Sequence, residues 1–194
     1  MEQPNALSDK LVLFIGIVFA VVIAESFARY SSLILHPSAS LGFIGLLAVY
    51  LTVVSSWVRY HRKALQYPYI IESSWWWLRF GGDFIIVGLY AYLLYSLAPA
   101  HEEGNLVFYL WGFALIFFLY ILVGILRRKE HNNPKASGLK QLFVLFFPLL
   151  VIAIVYQFVV QTLFPTVLAA LNWLFLLVPP LLNALFTYRW WRTR

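Results

Sequence analysis

The chain has 194 residues, of which 62% are hydrophobic and 11% charged, against roughly half and a quarter in an ordinary soluble domain. A soluble fold of this length could not hide so much apolar surface. The composition therefore excludes one, together with a disordered chain, a coiled coil and any nucleic-acid role led by charge. The net charge of +6 sits mainly at the ends of apolar runs, where it orients a chain in a bilayer. The absence of cysteine removes disulfides, thiolate metal sites and cysteine nucleophiles.

A helix that crosses the hydrocarbon core needs about twenty mostly apolar residues. Six stretches qualify: 11–35, 41–58, 78–98, 106–126, 141–163 and 166–188. They predict an all-α integral membrane bundle of six transmembrane helices in a single domain, residues 1–194, with no separate soluble domain. The first run reads as a span, not a removable leader. It is too long, follows Glu2 and Asp9, and lacks a small-residue cleavage site before Ser31.

Within that run Gly16, Ala20, Ala24, Ala28 and Ser32 recur every four residues, a small-residue ridge along which two helices can pack closely. Glu25 and Arg29 lie beside it. At 1.5 Å per residue Glu25 stands about 22 Å beyond Lys10, past the midplane. The second run is short and leads into Arg59, Arg62 and Lys63. Residues 65–77 read as a short interfacial segment that bends at Tyr67-Pro68-Tyr69. The third run carries Arg79 and Asp83, four apart, and Tyr90 seven further on.

The fourth run has no ionisable residue before Arg127, which predicts the most lipid-facing helix. Gln157 and Gln161 share a stripe on the fifth, and Asn172, Pro179 and Asn183 share a face of the sixth. Pro179 and Pro180 remove two backbone donors and predict a kink, a candidate hinge. The carbonyls they free need another partner.

Basic residues alternate from one connection to the next. Three lie in 59–63, five in 127–140, and Arg189, Arg192 and Arg194 in the tail, while 36–40, 99–105 and 164–165 have none. The positive-inside rule then places both termini in the cytoplasm. Trp57, Trp75, Trp76, Trp77, Trp190 and Trp191 fall on the same side, as an aromatic belt does.

Charges inside a bilayer cost about 2.5–3.5 kcal/mol even on a lenient scale. Two readings of the four-apart pairs stand open. Each pair neutralises itself within its helix, or Glu25 and Asp83 line a wet path, one in each half of the membrane. The amides Gln157, Gln161, Asn172 and Asn183 are either packing hydrogen bonds or, with Glu25, part of a polar cavity.

No HExxH, GxSxG, Walker or GxGxxG sequence occurs. The four histidines fall near span ends or in loops. The reading is accordingly a non-enzyme with no metal or cofactor. The favoured function is an oligomeric ion channel whose polar path includes Glu25, Arg29, Arg79, Asp83, Gln157, Gln161, Asn172 and Asn183. The alternatives are a small-solute transporter or its membrane substrate-binding subunit, and a non-transporting anchor or regulatory subunit. Expected partners are the lipid bilayer, a second copy or another membrane protein at the ridge, and a cytosolic protein at the basic loop and tail. No nucleic acid is expected.

Overall fold

The computed structural model describes residues 6–35, 41–96, 106–133, 139–160 and 168–192, which are mostly helical with no strand among them. The helices are α1 (Ala6–Arg29), α2 (Ser31–Leu35), α3 (Leu41–Gln66), α4 (Trp76–Ser96), α5 (Leu106–His131), α6 (Leu139–Val155) and α7 (Leu168–Arg192). A π-helical turn, Tyr156–Val160, follows α6. Four of them, α1, α3, α4 and α5, are long and apolar enough to cross a membrane. That supports a membrane-embedded bundle. The described apolar stretches of the last two are shorter, Phe146–Phe158 and Leu174–Leu185.

Several helices outrun the apolar runs. α1 starts at Ala6, α3 continues to Gln66 and α5 to His131, so Arg59, Arg62 and Lys63 lie on a helix and not in a connection. Hydropathy marks where apolar side chains stop. A helix continues while its backbone bonds hold and its long basic side chains can reach outward. Local chemistry sets the actual ends. α3 stops where Tyr67, whose N–H still bonds the Lys63 carbonyl at 2.8 Å, precedes Pro68 and is thereby steered out of helical geometry. α5 closes with a Schellman turn: Asn132 has φ 46° and the Asn133 N–H reaches back to the Arg128 carbonyl at 3.3 Å.

The expectation that the fourth run faces lipid is overturned. α5 is the most buried of the four long helices, and it packs against α4, α6 and α7. Lack of charge could not distinguish these cases, since a helix surrounded by other helices is apolar all round just as a lipid-facing one is. Close approach to α4 rests on two glycines. A Cβ on Gly82 would stand 2.7 Å from Val123 Cγ2, and one on Gly112 would stand 2.5 Å from Leu93 Cδ2.

The ridge of α1 is not used along its length within the chain. Gly16 is buried, facing the His61 ring across the space its missing Cβ leaves. Ala20, Ala24, Ala28 and Ser32 are exposed.

The Pro179–Pro180 pair lies inside α7. Pro180 cannot donate to the carbonyl four residues back, that of Leu176. The buried Tyr109 hydroxyl of α5 donates to that carbonyl instead, at 3.0 Å.

Candidate functional site

The described polar groups gather at three levels of the bundle. The most charged level lies at the basic end, where residues 67–75 cross from α3 to α4. They bend at Tyr67-Pro68-Tyr69, but Tyr69 turns inward and is only 1% exposed.

Buried charges hold this crossing in place. Arg79, 0% exposed, pairs with Glu130 of α5, Nη1 to Oε2 at 2.6 Å. The same guanidinium donates to the carbonyls of Tyr67 at 2.7 Å and Pro68 at 3.2 Å, and its Cζ lies 4.2 Å from the Tyr69 ring centroid. Glu130 accepts the Ile70 N–H at 2.6 Å with its other oxygen. The Tyr69 N–H bonds Ser8 Oγ of α1 at 2.9 Å, and His131 Nε2 lies 2.8 Å from the Pro68 carbonyl. Lys129 Nζ sits 4.4 Å from the Trp75 ring.

Asp83, 5% exposed, accepts the Tyr69 hydroxyl at 2.8 Å. Tyr60 of α3 extends that contact, hydroxyl to hydroxyl at 3.3 Å. Burial first, and the adjacent Asp83 carboxylate second, push the Tyr69 phenol far above its ordinary range, so it remains a donor. The fourth charge of the cluster is Arg127, 9% exposed. It stands within electrostatic reach of Asp83, yet its Nε is buried with no hydrogen-bond partner.

Arg79 and Asp83 therefore do not neutralise each other as an intrahelical pair. Arg79 is committed to Glu130 and the crossing, and Asp83 to a tyrosine.

The second level is a polar junction of α3, α4, α5 and α7. Ser56 Oγ bonds the Tyr90 hydroxyl and, at 2.6 Å, the Tyr120 hydroxyl. Arg59 Nη2 donates to Ser56 Oγ at 3.0 Å and to Asn183 Oδ1 at 2.6 Å. The Asn183 Nδ2 donates to Ser55 Oγ at 2.9 Å. Ser56 and Tyr60 lie one turn apart on α3, a step of about 6 Å. Both are buried, so they join the two levels into one polar seam. Along α4 the seam runs from Arg79 to Tyr90, about 16 Å.

The third level lies toward the other end. Glu25 and Arg29 are exposed and share Tyr95 of α4: its hydroxyl donates to Glu25 Oε1 at 2.9 Å, and Arg29 Cζ lies 4.4 Å from its ring centroid. They close no ion pair with each other. Ser26 and Tyr50 bond at 2.8 Å beside them. Buried Leu93 and Leu94 lie on α4 between this level and Tyr90.

Glu25, Gln157 and Asn172 are not brought together. Gln157 accepts the Trp111 indole N–H at 2.6 Å, and Asn172 accepts the Tyr156 hydroxyl at 2.8 Å. Gln161 lies outside the described residues. Near Trp111 an apolar groove of about 440 Å³, walled by Tyr92, Phe108, Phe118, Phe146 and Leu150 among others, runs between α4, α5 and α6.

Sequence reasoning singled out Arg79, Asp83, Tyr90 and Asn183 of the seam. It missed Ser56, Tyr60, Tyr69, Tyr120 and Glu130. Glu130 had a visible signal, as an acid among the basic residues after the fourth run. Tyr69 had none beyond its place next to Pro68. No protein-family model matches the chain, and no curated protein or solved structure matches it either.

Proposed function

We propose that the protein is a six-span, multipass ion-conducting protein whose pathway follows the polar seam, with both termini and the basic end in the cytoplasm. α6 with its π-helical turn and α7 supply the fifth and sixth spans. Copies associate through the outward face of α1, where Ala20, Ala24 and Ala28 present little bulk to a neighbour.

The observation that carries this reading is the seam: Asp83, Tyr69, Tyr60, Ser56, Tyr90, Arg59 and Asn183 enclosed by helices over about half of a hydrocarbon core some 30 Å thick. Packing alone gives little reason to keep such groups. Apolar residues of similar volume hold helices together as well as a buried ion pair does, or better. Leu93 and Leu94 close the path between Tyr90 and Glu25, so conduction requires the helices to part at that layer. Intramembrane ionisable residues elsewhere mark ion and proton routes.

The test is flux through purified protein in liposomes. Wild type is expected to pass a small ion, and Asn183→Leu and Tyr90→Phe to change the rate several-fold while the protein remains folded. Absence of flux for every small ion tried overturns the reading. The topology has its own check, because the chain lacks cysteine: a thiol introduced by Lys135→Cys should resist membrane-impermeant maleimide applied outside intact cells.

A further inference from the structure

At the end of the bundle away from the basic residues, α1 carries two opposite charges that do not serve each other. Glu25 and Arg29 are exposed, one turn apart, and close no ion pair. Tyr95 of α4 holds both. Its hydroxyl donates to Glu25 Oε1 at 2.9 Å, and its ring faces the guanidinium, 4.4 Å from Cζ to centroid. Among the described residues, Glu25 Oε2 and the Arg29 N–H groups have no hydrogen-bond partner.

The same residues border a cavity. It measures about 30 Å³ and is lined by Glu25, Ser26, Arg29, Tyr30 and Tyr95 among others. That is room for one group of the size of a water molecule. Tyr30 is 5% exposed, and its hydroxyl is buried without a hydrogen-bond partner. A buried hydroxyl left so is costly. An anion, a cation and a hydroxyl, all under-served around one small space, call for a ligand that answers all three.

Depth decides the class of that ligand. Arg29 lies nineteen residues beyond Lys10, about 28 Å along a helix. A hydrocarbon core is about 30 Å thick, so this corner lies where phospholipid headgroups begin. An ethanolamine headgroup carries a phosphate and a primary ammonium two carbons apart. The phosphate suits the guanidinium fork of Arg29. The ammonium brings a positive charge to Glu25 and N–H donors to the Tyr30 oxygen.

We propose that this corner of α1 and α4 binds the headgroup of a phosphatidylethanolamine lipid. The phosphate rests on Arg29, and the ammonium enters the cavity against Glu25 Oε2 and the Tyr30 hydroxyl. Size sets the selectivity: the three methyl groups of choline do not fit a space of about 30 Å³. A serine headgroup brings a second carboxylate beside Glu25, and a headgroup without an amine leaves Glu25 unanswered. The proposal rests on the chain lying in a bilayer and not on conduction, so neither result decides the other.

The test uses the full chain in nanodiscs that hold phosphatidylethanolamine and phosphatidylcholine in equal amounts with identical acyl chains. Native mass spectrometry counts which lipid stays on the protein. Wild type should retain the ethanolamine lipid over the choline lipid by about tenfold, the effect of one hydrogen bond to a charged group. Retention should fall stepwise through the mono- and dimethylated headgroups.

Glu25→Gln should bring the two lipids to near parity, although its amide oxygen still accepts from Tyr95. Arg29→Gln should lower retention of both, since both carry the phosphate. Tyr30→Phe should reduce the preference several-fold; it removes a hydroxyl that bonds nothing in the protein, so it serves if Glu25→Gln does not fold. A cavity that holds only water gives no headgroup preference. Equal retention by wild type, or a preference that survives Glu25→Gln in the folded protein, overturns the proposal.

Discussion

Replacing Arg79 by leucine is the sharpest probe of what organises the basic end. The substitution removes the ion pair to Glu130 at 2.6 Å and the donor to the Tyr67 carbonyl at 2.7 Å. The Pro68 carbonyl keeps His131. Breaking a buried pair strands its partner, and the stranded Glu130 carboxylate costs about 3–5 kcal/mol. One further lost hydrogen bond adds about 1 kcal/mol. Arg79→Leu should therefore destabilise the fold by about 4–6 kcal/mol.

Adding Glu130→Leu removes the stranded charge. It also leaves the Ile70 N–H without its acceptor, at about 1–3 kcal/mol. The double variant should nonetheless be more stable than Arg79→Leu alone, by about 2 kcal/mol, and far from the sum of the two single changes. Equilibrium unfolding in mixed micelles, followed by tryptophan fluorescence, measures all four corners of the cycle. If Arg79→Leu lies within about 1 kcal/mol of wild type, or the two changes simply add, the buried pair does not organise this end and the reasoning fails.

Three other outcomes follow from single contacts. Tyr109→Phe strands the Leu176 carbonyl and should cost about 1–3 kcal/mol; in a Pro180→Ala background most of that cost should vanish, because residue 180 regains an N–H for the same carbonyl. Thermal unfolding of the two pairs decides it, and an equal penalty in both backgrounds refutes the assigned role. Gly112→Ala drives a methyl onto Leu93 Cδ2 and should cost about 1–3 kcal/mol by overpacking, largely recovered when Leu93→Ala is added. Gly81, with nothing near its would-be Cβ, is the internal control: Gly81→Ala should be neutral or stabilising by up to about 1 kcal/mol, since alanine is the better helix former.

Much of the architecture was legible before any coordinates. Apolar runs of about twenty residues can only be helices in a lipid setting, because the backbone must satisfy itself. Each described helix falls on one of the six runs. The ends were less legible: α3 overran its run by eight residues, from Val58 to Gln66, since polar side chains end hydropathy without ending a helix. Proline inside α7 correctly announced freed carbonyls, but not that Tyr109, some seventy residues earlier, would serve one of them.

The polar residues divide in the same manner. Composition and spacing named Arg79, Asp83 and Asn183 as groups that need company, because an unpaired charge or amide in hydrocarbon is costly. They did not name the company. Four-residue spacing suggested Arg79 with Asp83 and Glu25 with Arg29, whereas the fold gives Arg79 to Glu130, Asp83 to Tyr69, and both Glu25 and Arg29 to Tyr95. The burial of α5 was misjudged on similar grounds.

Hydrophobicity is a property of each segment and can be summed along the chain, so the sequence alone determined that the chain is a set of apolar helices and which of their residues need polar company. Partnership depends on which helix faces which, at what rotation and depth. Two glycines, one bend at Pro68 and the inward turn of Tyr69 set those relations, and only the tertiary structure decided them.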